Sequence, residues 1–335
     1  MTLSSLLKHS IMQLSFGLFI SGVVFACINP INLPILQAFE LYSFWVIIGL
    51  LGLGLILFCI NQIQLMFLAF AACGLMCVHL HNQTQIPLKP EMADASPILQ
   101  TSFVSLNEST KNLNEVLQIV SNKHPHLLAI HQQNLECLDS IAIILKEQTY
   151  RYHQFYLLDT EERIDIFSKF PLQQCHIIQI GSTSSVVGKL VIPSFSGRQA
   201  LAFIASEFSS TSHISYDEYH QKHLEFLVEQ SQKSNIPLLL LGDYNKAAWS
   251  KELAYIRQNG NLQVSYRGVL AQAKAEKFPY LRIPTQHIFH SNHLRCIDFE
   301  VKMLGANEQF GIFGTYQFVN YSDIAPNAIK TSRKF

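Results

Sequence analysis

Three uncharged apolar runs open this chain and limit what it can fold into. Residues 10–28 (SIMQLSFGLFISGVVFACI), 42–60 (YSFWVIIGLLGLGLILFCI) and 63–80 (IQLMFLAFAACGLMCVHL) hold no Asp, Glu, Lys or Arg. Each is about long enough to cross a hydrocarbon core as a helix. A helix on the surface of a soluble protein keeps a polar face, and none of these has one. The reading is therefore a membrane anchor over residues 1–80 with three transmembrane helices, and a lipid bilayer as its partner. The Asn-Pro-Ile-Asn-Leu-Pro stretch breaks the first pair. Asn61 and Gln62 make the second turn a tight hairpin. Lys8 precedes the first run, and two further spans follow it directly, so it reads as an anchor rather than a cleaved leader. Lys8 at a cytoplasmic start, followed by three crossings, would put the remainder on the non-cytoplasmic side of an integral membrane protein, in the inner membrane if the source is bacterial.

Beyond the anchor, residues 81–97 carry three prolines and read as a linker. Residues 98–322 alternate strand-like and helix-like patterns, and 323–335 form a tail. Strand patterns are ILQTSFVSL, HLLAI (126–130), RIDIFSKFPL, the hairpin GKLVIPS with QALAFIASEF, the deeply apolar IPLLLLGDYN, and late RIPTQHIFHS and CIDFEVKML. Helical spacing marks NLNEVLQIVSNK, LECLDSIAIIL, YDEYHQKHLEFLVEQSQKS and KELAYIRQNG, the last stopped by Gly260. Strands lacking an intervening helix argue against a purely parallel sheet, so a two-sheet α/β sandwich is expected.

With formal net charge zero over 335 residues, no basic stripe offers itself to nucleic acid. Seven cysteines show no CxxC or metal-ligand spacing. Fourteen histidines include the pairs His124/His126 and His220/His223 and the trio His287, His290 and His293. His287 and His290 are three apart, so on one strand they face opposite ways. Trp249 reads as packing behind a loop.

Taken in order, these pieces resemble the endonuclease/exonuclease/phosphatase superfamily, a four-layer α/β sandwich of Mg²⁺-dependent phosphodiesterases. LLLLGDYNKAAWS (238–250) resembles its GDFN strand end. PHLLAIHQQ (125–133) resembles its P-D-[apolar]-QE strand, IDIFSKFPL its IFSR segment, RIPTQHIFHS its P-I-D-H strand, and FGTYQFVNY falls where it has G-S-D-H-x-P. The three spans in front resemble a membrane-anchored bacterial branch.

The resemblance implies roles for particular residues. Asp243, Asn245 and His287 keep the family's identities. The principal metal-ligand slot holds Gln132, an amide without charge. Gln286 stands in an Asp slot, Tyr316 and Gln317 in an Asp-His slot, and Glu207 in a His slot. Ser105 falls on the first strand's Asn, with Asn107 two residues on. A Mg²⁺ site wants hard anionic oxygens, and losing one acid or base costs about 10²–10⁴ in rate. The expectation is a catalytically impaired binding or scaffolding module for an unidentified protein or phosphate-containing ligand, with no cofactor. The rival is a hydrolase using Mg²⁺ or Mn²⁺, with Asp243 as base, Asn245 and His287 on the phosphate, and Glu207 with Gln132 on the metal.

Overall fold

Apolar alternation over residues 98–318 resolves into two six-stranded sheets. The structure, a computed structural model, describes residues 3–28, 39, 42–84, 97–106, 113–132, 143–145, 150–158, 162–181, 183–194, 197–208, 214–265, 285–304 and 308–319. The chain divides into two compact units, Met1–Gln85 with Ala247–Ser250, and Ile86–Lys246 with Lys251–Phe335.

The first unit is helical: α1 (Leu3–Ile28), α2 (Ser43–Cys59) and α3 (Ile63–Thr84). Ile20, Val24, Leu50, Leu57, Met66, Ala69 and Met76 pack between them. Gly54 is required for this approach, because a Cβ there would lie 2.4 Å from the Phe70 ring. The outward side is equally apolar, with Leu14, Phe19, Phe58 and Phe67 all exposed. One helix, Ile63–Asn82, is long and apolar enough to cross a bilayer, while Gln13–Ile28 and Ser43–Cys59 are apolar but shorter. At 1.5 Å per residue the 17 residues of α2 span about 26 Å, short of a core of about 30 Å.

In the second unit the first sheet has the order β11 (Leu294–Leu304), β12 (Glu308–Phe318), β1 (Ile98–Leu106), β2 (Leu127–Gln132), β4 (Arg163–Ser168), β3 (Tyr152–Leu157). The second runs β5 (Leu172–Ile180), β6 (Thr183–Ser194), β7 (Gly197–Glu207), β8 (Leu238–Asp243), β10 (Gln286–Ser291), β9 (Leu262–Val264). Each sheet has one parallel pair near its middle, β1–β2 and β7–β8, and every other pairing is antiparallel. A parallel pair needs a crossover. Here α4 (Leu113–Lys123) joins β1 to β2, and α5 (Ile214–Lys233) joins β7 to β8. Val116 and Val120 of α4 bury against Val104, Leu106, Leu128, Ile130 and Phe167, so this face of the first sheet looks outward. On the second sheet, α5 places His223 Nε2 2.6 Å from Ser185 Oγ, which lies 2.6 Å from Ser206 Oγ. That buried chain marks the helix-covered face of β6 and β7. A short α6 (Lys251–Asn259) packs beside α5.

The two inner faces meet in an α/β sandwich. His290 of β10 meets Tyr316 of β12 ring edge to face at 5.5 Å, and Ser265 Oγ lies 2.7 Å from the Tyr316 hydroxyl. The strands β3 and β5 lack a clean apolar alternation and escape sequence reading; both are partly exposed strands at sheet edges. The expected helix over LECLDSIAIIL lies outside the described residues except for helical Ile143–Leu145, as do the tail and linker residues 85–96.

Gly242 allows the tightest approach in the parallel pair. It sits beside Ser206, and a Cβ at 242 would fall 2.1 Å from the Ser206 carbonyl oxygen. Gly242→Ala should cost about 3 kcal/mol or more, since backbone rather than a flexible side chain must yield. Urea unfolding followed by circular dichroism checks this.

Candidate functional site

Parallel strands end with their carboxyl termini on one side, the usual place for a ligand in α/β sheets. In the first sheet those ends are Leu106 and Gln132; in the second they are Glu207 and Asp243. The two ends face each other, because His131 Nδ1 lies 3.4 Å from Glu207 Oε2. Register then lines up both walls of a cleft. Glu207 pairs with Asp243, and Asp243 with Gln286, making one row across β7, β8 and β10. Ser105 pairs with His131 across β1 and β2, with Ser105 Oγ 3.5 Å from His131 Nδ1. Glu162, just before β4, puts Oε2 3.2 Å from His131 Nε2. The imidazole is thus buried between two carboxyl groups.

Asp243 begins a turn. Its Oδ1 accepts the Asn245 N–H at 3.0 Å, and Asn245 has the left-handed φ of 51° that Asn tolerates. The Asn245 side-chain amide donates to the Phe208 carbonyl, and Lys246 Nζ lies 2.8 Å from Glu252 Oε1. Asn245 therefore shapes the loop after β8. Burial pushes Asp243 above the ordinary aspartate range, although N–H and O–H donors from Asn245, Thr285 and Gln286, and the nearby His131, pull the other way. Glu207 is raised well above the ordinary range, first by burial and then by the neighbouring Asp243 and Glu162.

Side-chain alternation sorts the remaining residues. Gln132 shares a face with Leu128 and Ile130, which pack under α4, while His131 faces the cleft. His287 pairs with Gly242, so it lies on the face opposite Gln286. Its Nε2–H donates to the Lys246 carbonyl at 2.8 Å. His287 thus clamps the loop from behind rather than facing the cleft. His290, three residues on, reaches the inner face and Tyr316, as the spacing required.

Tyr316 and Gln317 are not brought to the cleft. They pair with Leu99 and Ile98 at the start of β1, about 20 Å along the strand from Ser105 at 3.3 Å per residue. β12 is antiparallel to β1, so its cleft-side end is Glu308 onward rather than Tyr316. Of the residues singled out in sequence, Glu207, Asp243, Gln286 and Ser105 come together, with Asn245 in the loop beside them. Glu162 and the orientation of His131 carried no local signal. Asn107 lies outside the described residues.

The superfamily resemblance implies a Mg²⁺ ion. The described residues do not fit one. Gln132 belongs to the opposite face, and Glu162 and Glu207 both lie on His131. Among the described residues no group of three or more His, Cys, Asp or Glu side chains is arranged to hold a metal.

Solved structures share this fold. The chain superimposes on an endonuclease/exonuclease/phosphatase from Beutenbergia cavernae DSM 12333 with a TM-score of 0.51 and 11% identity, over 66% of this chain and 72% of that one. The fold is that of the endonuclease/exonuclease/phosphatase superfamily. The human Nocturnin catalytic domain, solved with a bound sulfate anion, matches with a TM-score of 0.53 and 14% identity over 72% of this chain and 99% of its own. A family protein from Bacteroides thetaiotaomicron gives 0.52 and 13%, over 68% and 100%. No sequence-family profile and no curated protein sequence matches the chain.

Three histidines of the second unit are buried and held neutral by desolvation. Burial lowers His220 to about 4 and His287 to about 4, and it lowers His223 to about 3. Each binds a proton more readily when unfolded. The stability it contributes is therefore complete above its ordinary value of 6.5 and lost as pH falls toward the folded value, by about 1.4 kcal/mol per pH unit. Glu207 and Asp243, raised in the fold, act in the opposite sense. His220→Phe keeps the ring packed on Phe208, 4.6 Å away. Between pH 6.5 and 4.5 it should lose about 2–3 kcal/mol less stability than the parent in denaturant titrations.

Proposed function

We propose that this chain is a membrane-anchored binding or scaffolding module, an endonuclease/exonuclease/phosphatase-like domain with little or no phosphodiesterase activity. The carrying observation is the position of His131. Its two nitrogens lie 3.2 Å and 3.4 Å from carboxyl oxygens of Glu162 and Glu207, so an imidazole occupies the space between the acids that a dication would have to share. Phosphoryl transfer without a metal leaves the charge on the transferring oxygens uncompensated.

Anchoring is supported by Ile63–Asn82, by the two shorter apolar helices and by the apolar outward side of the bundle. All three runs, 10–28, 42–60 and 63–80, cross the bilayer in this reading. Lys8 starts on the cytoplasmic side, which leaves the α/β domain on the other.

Calorimetric titration of the detergent-solubilised chain with Mg²⁺ or Mn²⁺ should show no site in the millimolar range or tighter. Hydrolysis of a generic phosphodiester should stay at background and be unchanged by Asp243→Ala. Metal-dependent turnover that Asp243→Ala abolishes would restore the hydrolase reading. The chain should also stay with membranes through an alkaline carbonate wash.

A further inference from the structure

Some buried acceptors of the cleft are left over once its donors are placed. Glu162, Glu207 and Asp243 bring three carboxyl groups to it. Gln286 adds a neutral acceptor. Its side-chain amide donates to Asp243, while its Oε1, in a residue only 1% exposed, has no hydrogen-bond partner among the described residues. Glu207 Oε2 also lacks one, its approach to His131 being the looser 3.4 Å contact. A buried acceptor left without a donor costs about 1–3 kcal/mol. Among the described residues Lys246 pairs with Glu252, and Arg163 with Asp165 at 2.7 Å on the outward face.

A phosphate adds more acceptors and more negative charge to such a place. An ammonium group supplies three donors, no acceptor and a positive charge. His131 is fully buried and the Glu207 side chain only 10% exposed. Three donors on one small nitrogen suit buried acceptors better than a broad planar guanidinium. We propose that the cleft binds the primary ammonium group of a ligand on Glu207, Asp243 and Gln286. This rests on the binding-module reading and names its ligand class. In the free protein His131 is the nitrogen nearest Glu207, and the incoming ammonium competes with it for that oxygen.

The test is calorimetry on the full chain in detergent. Cadaverine serves as a free amine, a lysine-containing acetylated peptide as a side-chain source, and inorganic phosphate as the contrasting ion. Saturable binding of cadaverine or of the peptide is expected, the stronger arm identifying the source. Glu207→Gln, close to isosteric, and Gln286→Leu should each weaken it about tenfold or more, with thermal unfolding little changed. Glu225→Gln on the exposed side of α5 should bind as the parent does. Amine binding that Glu207→Gln and Gln286→Leu leave untouched would overturn the proposal. So would phosphate binding without amine binding, which would leave the binding-module reading standing. Metal-dependent phosphodiester hydrolysis would instead remove that reading itself.

Discussion

One contact across the sandwich organises the rest: His131 of the first sheet against Glu207 of the second. Each lies at or beside the carboxyl end of a parallel strand pair, so their meeting fixes where the two sheets open. Strand register does the remainder. It places Asp243 and Gln286 next to Glu207 on one wall, and Ser105 next to His131 on the other. Acidic side chains brought this close out of water strongly disfavour one another's ionised forms.

The cleft is supported from behind by groups that never reach it. His287 holds the Lys246 carbonyl, the Asn245 side chain holds the Phe208 carbonyl, and Lys246 holds Glu252. Two residues that a motif reading assigns to phosphate contact therefore shape the loop carrying Asp243. Such supporting groups set the position of a functional side chain to a fraction of an ångström. They also keep their value whether or not chemistry still happens in front of them.

Much of the architecture was legible in the sequence, because central strands and covering helices bury whole faces and print their period on the chain. Ile98–Leu106, Leu127–Gln132 and Leu238–Asp243 are of this kind. Tyr152–Leu157 and Leu172–Ile180 were not, since edge strands wet on both sides have no period to print. The site was legible where a polar residue ended an apolar run, as at Glu207 and Asp243. It failed at Gln132, where a single step of alternation decides which of two neighbours faces inward. It failed again at Tyr316 and Gln317, whose place depends on antiparallel pairing with a strand more than two hundred residues earlier. Glu162 is invisible for the same reason, because only tertiary structure brings it to His131.

The most recognisable pair in the chain, Gly242 before Asp243, is held by two unrelated constraints. The glycine is there because the Ser206 carbonyl leaves no room for a methyl group. That demand belongs to the crossing of two parallel strands and is indifferent to turnover. Strand packing alone therefore accounts for the glycine of this pair, whatever the aspartate beside it does. In this architecture, the signature reports steric descent before it reports an activity.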